Sequence, residues 1–102
     1  MPDVSTHTNI EALLTDSEVD AIVIASIHHL LCPLTLKALR AGTHAIAEKP
    51  IAMNEQEASE IEASVLETGL CYMAGYSFRF SMGRFVQELL DTGAIGDIYA
   101  AT

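Results

Sequence analysis

The spacing of apolar positions changes along the chain, and the changes mark out its elements. Asp20-Ala21-Ile22-Val23-Ile24-Ala25-Ser26 is a continuous apolar, β-branched run. It predicts a parallel strand buried on both faces. The period then becomes helical. Leu31, Leu34, Ala38 and Leu39 share one face at i, i+3, i+7 and i+8. They predict a helix beginning near Leu31, with Pro33 tolerated in its first turn and Gly42 as its C′ residue. His28-His29 falls in the loop before it. His44 to Ala47 reads as a second short strand.

Asn54 and Glu57 form a capping box for the next helix. Ala58, Ile61, Val65 and Leu66 are its apolar face, Glu55, Glu60, Glu62 and Glu67 its solvated face, and Gly69 its end. Leu70 to Ala74 predicts a third buried strand, and Gly75 to Phe80 a turn. A helix from about Met82 to Asp91 is expected to bury Phe85, Val86, Leu89 and Leu90 and to stop at Gly93. Asp97 to Ala101 opens another strand. At the front, Val4 to Thr6 predicts a short strand, and Thr8 with Glu11 a capping box for a helix to about Leu14. Strands and helices alternate, so the fold class is α/β, a parallel sheet with helices on its faces. The last strand finds no following partner, which suggests a portion of a larger fold.

Composition narrows the class. The chain has 102 residues, 50% hydrophobic and 19% charged, which suits a globular domain or a piece of one. Its net charge of −9 argues against nucleic acid and against an anionic membrane surface. No apolar run approaches the roughly 20 residues of a spanning helix, and Met1-Pro2-Asp3-Val4 has no signal-peptide pattern. Cys32 and Cys71 lie inside apolar segments. Both are expected to be buried free thiols, consistent with a cytoplasmic location.

The chemistry gathers at Ala47-Glu48-Lys49-Pro50. An acid, a base and a proline stand at the carboxyl end of a strand, where open α/β sheets bind ligands. Lys49 is one of two lysines, and a lysine beside apolar strand residues can be partly desolvated, which favours its neutral amine. Glu48 opposes that by favouring the charged form, and from spacing alone the favoured reading of the pair is a solvated loop after a strand. His28-His29 has no third ligand within reach in sequence, so no metal site is expected. Arg79, between Phe78 and Phe80, is suited to pairing with a substrate oxygen or to plain exposure. Met53, Met73 and Met82 are expected to fill core space.

Five blocks in series carry a resemblance. They are Val19 to Ala25; Ala38-Leu39-Arg40-Ala41-Gly42-Thr43-His44; Glu48-Lys49-Pro50; Gly75-Tyr76 with Arg79-Phe80-Ser81; and Gly93-Ala94-Ile95-Gly96-Asp97-Ile98. Together they resemble the Gfo/Idh/MocA family of glucose-fructose oxidoreductase and inositol 2-dehydrogenase. The resemblance implies the second half of a Rossmann-like NAD(P)-binding domain over residues 1–75, running into the start of a substrate and oligomerisation α/β domain over 76–102. It implies NAD or NADP as cofactor, a sugar or polyol as substrate, and a homo-oligomeric full-length protein.

By the same resemblance Lys49 is catalytic, contacting the substrate hydroxyl and the nicotinamide region. Ser26, His28, Glu48 and Pro50 lie beside the cofactor, and Tyr76 and Arg79 near the substrate. The Lys49–Pro50 bond is expected to be cis. The chain departs from the family pattern at Ile27, His28, Leu31 and Ser77, where proline, asparagine, histidine and asparagine are common. It contains no G-x-G-x-x-G, and the catalytic Asp-x-x-x-His pair that the resemblance implies for the second domain is absent; Asp3 and His7 match that spacing by coincidence, before the first helix. The isolated chain is therefore expected to be inactive. The alternatives are a free-standing binding module and a structural subunit that completes a partner's sheet.

Overall fold

The structure, a computed structural model, describes residues 4–16 and 18–100. Three parallel strands, β1 (Ala21–Ile24), β2 (His44–Glu48) and β3 (Tyr72–Gly75), form one sheet in the order β1-β2-β3. The helices are α1 (Ile10–Leu14), α2 (His28–Arg40), α3 (Glu55–Thr68) and α4 (Met82–Asp91), with a 3₁₀ turn at Ser77–Arg79. Sequential strand order with right-handed crossovers puts α2 and α3 on one face of the sheet. Helix α2 lies across β1 and β2, and α3 packs beside α2. The predicted α/β class is the observed one.

The strand register explains the core. Ile22, Ala45 and Tyr72 form one row, and Ile24, Ala47 and Ala74 the next. Both rows face the helices. There Ile22, Ile24, Ala45 and Ala47 meet Leu31 and Ala38 of α2, with Ile10, Leu13 and Leu14 of α1 against them. A second cluster joins Cys32 and Leu36 of α2 to Ile61 of α3. The intervening row, Val23, Ile46 and Met73, faces the other way and is open, at 73%, 37% and 46% exposed. The expectation of strands buried on both faces is thus corrected: one face is covered. The cause is topological, since α2 and α3 lie on the same side.

Other expectations change at the ends of elements. Residues 4–7 are not a strand, and Asn9 caps α1 in place of Thr8, its Oδ1 accepting the Ala12 N–H at 2.7 Å. Helix α2 starts at His28, so the two histidines open the helix, and Pro33 lies inside it beyond the first turn. At Pro33 the helix loses one backbone donor. Gly42 does follow α2 with φ +87, a conformation that favours glycine.

The Asn54 capping box forms with a variation. Asn54 Oδ1 accepts the Glu57 N–H at 2.9 Å, while the Glu57 carboxylate reaches back to the Met53 N–H at 2.8 Å. In α3, Ile61 is buried, Val65 is half-buried, and Ala58 and Leu66 are exposed. Of the methionines, Met53, Met73 and Met82 are all exposed and fill no core. Cys32 is buried and Cys71 exposed, both as free thiols.

The C-terminal region departs furthest. Helix α4 has the predicted bounds, but Phe85 and Val86 are exposed and Leu89 and Leu90 only half-buried. Its main partner is the 3₁₀ turn. Residues 97–100 form no strand, and Ala101, the last residue of that expectation, lies outside the described residues.

Candidate functional site

The strand register brings most of the sequence-predicted residues to one edge. Ile24, Ala47 and Ala74 are level across the sheet, and Glu48 pairs with Gly75. Two residues beyond that level row, at the carboxyl ends of the three strands, stand Ser26, Lys49 and Tyr76. His28 opens α2 just past Ser26. Ile27, the residue before the helix, makes no side-chain cap. Pro50 follows Lys49 across a cis peptide bond, as expected. Arg79 follows three residues after Tyr76, at the end of the 3₁₀ turn.

Hydrogen bonds shape the corner. The Glu48 carboxylate folds back to accept the backbone N–H of Lys49 at 3.1 Å. The Tyr76 N–H donates to the Ala74 carbonyl at 2.8 Å, and the Arg79 N–H donates to the Tyr76 carbonyl at 3.1 Å. These two bonds turn the chain away from β3 directly after Gly75. Glu48, Lys49, Tyr76, Arg79 and His28 are exposed, while Ser26 and Pro50 are half-buried. Lys49 is exposed, as the solvated-loop reading expects, and none of the described residues covers the strand edge above it.

A groove of about 410 Å³ runs along β1. It is lined by five consecutive residues, Ile22 to Ser26, so it follows the free edge of the strand and not one face. Its far wall holds Ser5, His7, Thr8 and Asn9, none of which was singled out by sequence for such a role. Polar residues ahead of a helix read as caps, and Asn9 does serve as one. His7 Nε2 lies 3.6 Å from Asp16 Oδ2, which ties the approach to α1 back to its end. Asp3, the other half of the Asp-x-x-x-His spacing, is outside the described residues.

A second groove, of about 540 Å³, lies between α3 and β3 and includes Ile51, Val65, Leu66 and Tyr72. The Tyr72 hydroxyl is buried with no hydrogen-bond partner among the described residues, and burial pushes the phenol upward from its ordinary value. Neither groove is lined by Glu48, Lys49, Pro50, Tyr76 or Arg79. Among the described residues no group of three or more His, Cys, Asp or Glu could hold a metal ion. No helix among them is long and apolar enough to cross a membrane.

The edge can present a primary amine, a carboxylate, a hydroxyl and an imidazole to a ligand lying across the strand ends. The chain as a whole is similar to known proteins. The 2,7-anhydro-N-acetylneuraminate hydratase of Mediterraneibacter gnavus is 30% identical over 97 residues, covering 94% of this chain and 26% of that protein. The dTDP-3,4-didehydro-2,6-dideoxy-alpha-D-glucose 3-reductase of Streptomyces violaceoruber is 38% identical over 91 residues, covering 88% and 27%. A crystal structure of KijD10, a 3-ketoreductase from Actinomadura kijaniata in complex with TDP-benzene and NADP, superposes with a TM-score of 0.80. It is 35% identical, and the match covers 88% of this chain and 29% of that one. The chain thus spans between a quarter and a third of the length of these relatives. Residues 2–76 match the family model described as an oxidoreductase family with an NAD-binding Rossmann fold, and the chain belongs to that family, Gfo/Idh/MocA.

Proposed function

We propose that this chain supplies the lysine-bearing strand edge of an NAD(P)-dependent oxidoreductase that acts on a sugar, a polyol or a related hydroxy compound. One observation carries the proposal: in a chain of this family, Lys49 directly follows the middle strand, between Ser26 beyond one neighbouring strand and Tyr76 beyond the other. In this assignment Ser26, His28, Glu48 and Pro50 lie along the cofactor, and Tyr76 and Arg79 lie toward the substrate. Residues 1–75 then belong to the cofactor domain and 76–102 to the start of the substrate domain. The sugar class is supported by relatives whose names specify sugar derivatives, one as a reductase and one as a hydratase.

The residues present fit one end of a dinucleotide. Ser26 lines the β1 groove and His28 opens an uncapped helix beside it, so polar groups are available for a nicotinamide ribose. They do not fit the pyrophosphate, since the chain has no glycine-rich turn through which a backbone could approach it. A bound nicotinamide would supply the acceptor or donor of hydride. Lys49, as a neutral amine, would take the proton of the substrate hydroxyl at Nζ during oxidation, and as an ammonium return it during reduction. In either direction the ammonium stabilises the oxygen as it becomes negative.

Activity can be tested in a chimera in which residues 4–100 replace the matching segment of the 3-reductase. The chimera should be an active oxidoreductase. Lys49→Met should lower kcat by about 10²- to 10⁴-fold, the usual contribution of a positioned acid or base. A chimera whose activity is unchanged by Lys49→Met would remove Lys49 from the chemistry. The chain alone should give no saturable NADH fluorescence change at micromolar concentration. Saturable binding would show that the phosphates are held by residues other than a glycine-rich turn.

A further inference from the structure

We propose that His44 is a pH-operated latch on the amino end of β3: the neutral imidazole holds the Cys71 N–H, and protonation of the ring releases it. The latch lies at the edge of the sheet opposite Lys49 and does not depend on the function assigned above.

His44 opens β2 and ties it to both neighbours. Its backbone N–H donates to the Asp20 carbonyl, just before β1, at 3.0 Å. Its side chain reaches the other way, where Nδ1 accepts the Cys71 backbone N–H at 3.0 Å. The Cys71 carbonyl accepts the Ala45 N–H at 3.1 Å. Both backbone polar groups of Cys71 are therefore engaged by β2, one through the main chain and one through the imidazole. The register of the two strands begins only at the next residue, with Ala45 opposite Tyr72. The imidazole thus extends the hold of β2 beyond the strand pairing itself. Strand β3 lies at the edge of the described sheet, so β2 is the one strand among the described residues that holds it.

The chemistry of the acceptor makes this bond conditional. A ring nitrogen accepts an N–H only when it carries no proton, so the bond selects the neutral ring with its proton on Nε2. A protonated imidazole is a donor at both nitrogens and sets Nδ1–H against the Cys71 N–H. The bond is therefore present at higher pH and lost as the ring takes up a proton, a change that histidine makes within the physiological range. The ionisable groups on the adjoining segments are Glu18 and Asp20 before β1, Arg40 at the end of α2, Cys71 before β3, and Glu48 four residues along the same face of β2. Among the described residues none of them forms an ion pair with His44. His7 is the contrast: it lies 3.6 Å from the Asp16 carboxylate, where a proton strengthens the contact. Cys71 is exposed, so water takes the N–H that His44 releases, and the loss stays at the end of the strand.

The test is a titration of the 102-residue chain by ¹H–¹⁵N NMR from about pH 8 to about pH 5, with the His44 ring signals followed in the same samples. The Cys71 amide should shift along the His44 titration. Its protection, measured against an unstructured chain at the same pH, should fall about two- to tenfold, the net worth of one hydrogen bond. The Ala45 amide, bonded to the Cys71 carbonyl, should loosen with it, and the amides of α2 should not. In His44→Asn, Oδ1 stands where Nδ1 stood and accepts at every pH, so Cys71 should stay protected throughout. In His44→Ala its protection should be low throughout. A Cys71 amide that ignores the His44 titration in the natural chain overturns the proposal, whether or not either variant folds. An equal loss of protection in α2 also overturns it, since the proton would then act on the whole fold and not on the latch.

Discussion

The two faces of the sheet come from the same three strands and have opposite fates. On the helix side Ile22, Ile24, Ala45 and Ala47 are buried beneath α2. On the other side Val23, Ile46 and Met73, equally apolar, form a row across the sheet that the described residues leave largely open. Helix α4 is open in the same way, with Met82 and Phe85 more than half exposed. The radius of gyration is 17.8 Å, against about 13 Å for a compact chain of 100 residues. Composition does not separate the two faces; connectivity does, because both crossover helices fall on one side. Apolar surface left open in this way is a liability for self-association or a seat for further protein.

The largest effect should come from the covered side. Leu39 is wholly buried in α2. Leu39→Ala should destabilise the fold by about 2–5 kcal/mol, through lost burial and the cavity left behind. On the open side, Ile46→Ala should cost about 0.5 kcal/mol or less, the size of a change at a surface position. Urea denaturation of the two variants compares the faces directly. Equal losses would mean that something covers Ile46 in solution.

The next effect concerns association and not folding. Phe85→Glu puts a charge on the open face of α4 and should shift the chain toward smaller species in light scattering. Its melting should stay close to that of the natural chain. A monodisperse monomer before substitution would show that the open apolar surface recruits no second chain.

Legibility followed a different division. The three strands, α2, α3 and the open α4 were recoverable to within a few residues, because an apolar stripe repeats at the period of its element whether or not anything covers it. What failed was the inference from apolar to buried. Leu66, Phe85, Val86 and Met73 satisfy the pattern and are exposed, since periodicity reports which face is apolar and not what lies against it. The start of α1 failed for a local reason: Thr8 and Asn9 are both good caps, and the backbone chose the second. Glu48, Lys49 and Pro50 could be placed at the end of β2 from sequence because a strand's carboxyl end is a place that topology alone defines, whereas Tyr76 came in only through the family resemblance. The groove wall at Ser5 to Asn9 was not, because it depends on how α1 lies beside β1.

A smaller effect tests a cap on the covered side. Asn54→Ala removes the acceptor for the Glu57 N–H and should cost about 1 kcal/mol. Thr8→Ala should cost almost nothing, since Asn9 holds the cap of α1. A reversed order in thermal melts would return the cap to Thr8.

The smallest effect is electrostatic and joins the edge of the covered side. Glu11 of α1 is hydrogen-bonded and paired with Lys37 of α2, and that bond holds its carboxyl below the ordinary 4.5. In the unfolded chain Glu11 takes up its proton near the ordinary value; in the folded chain it does so only at lower pH. The folded state is therefore favoured by this pair above pH 4.5, and the advantage fades as pH falls through the lowered folded value. Both side chains are exposed, so water and salt screen the pair. Lys37→Met should melt slightly below the natural chain at pH 7 in low salt, and the gap should narrow as pH falls below 4.5 or in molar salt. Because α1 covers part of the sheet through Ile10, Leu13 and Leu14, the same loss should appear as faster amide exchange confined to α1 and β1. Exchange that quickens equally in α3 would mean that the pair acts on the whole fold and not on the attachment of α1.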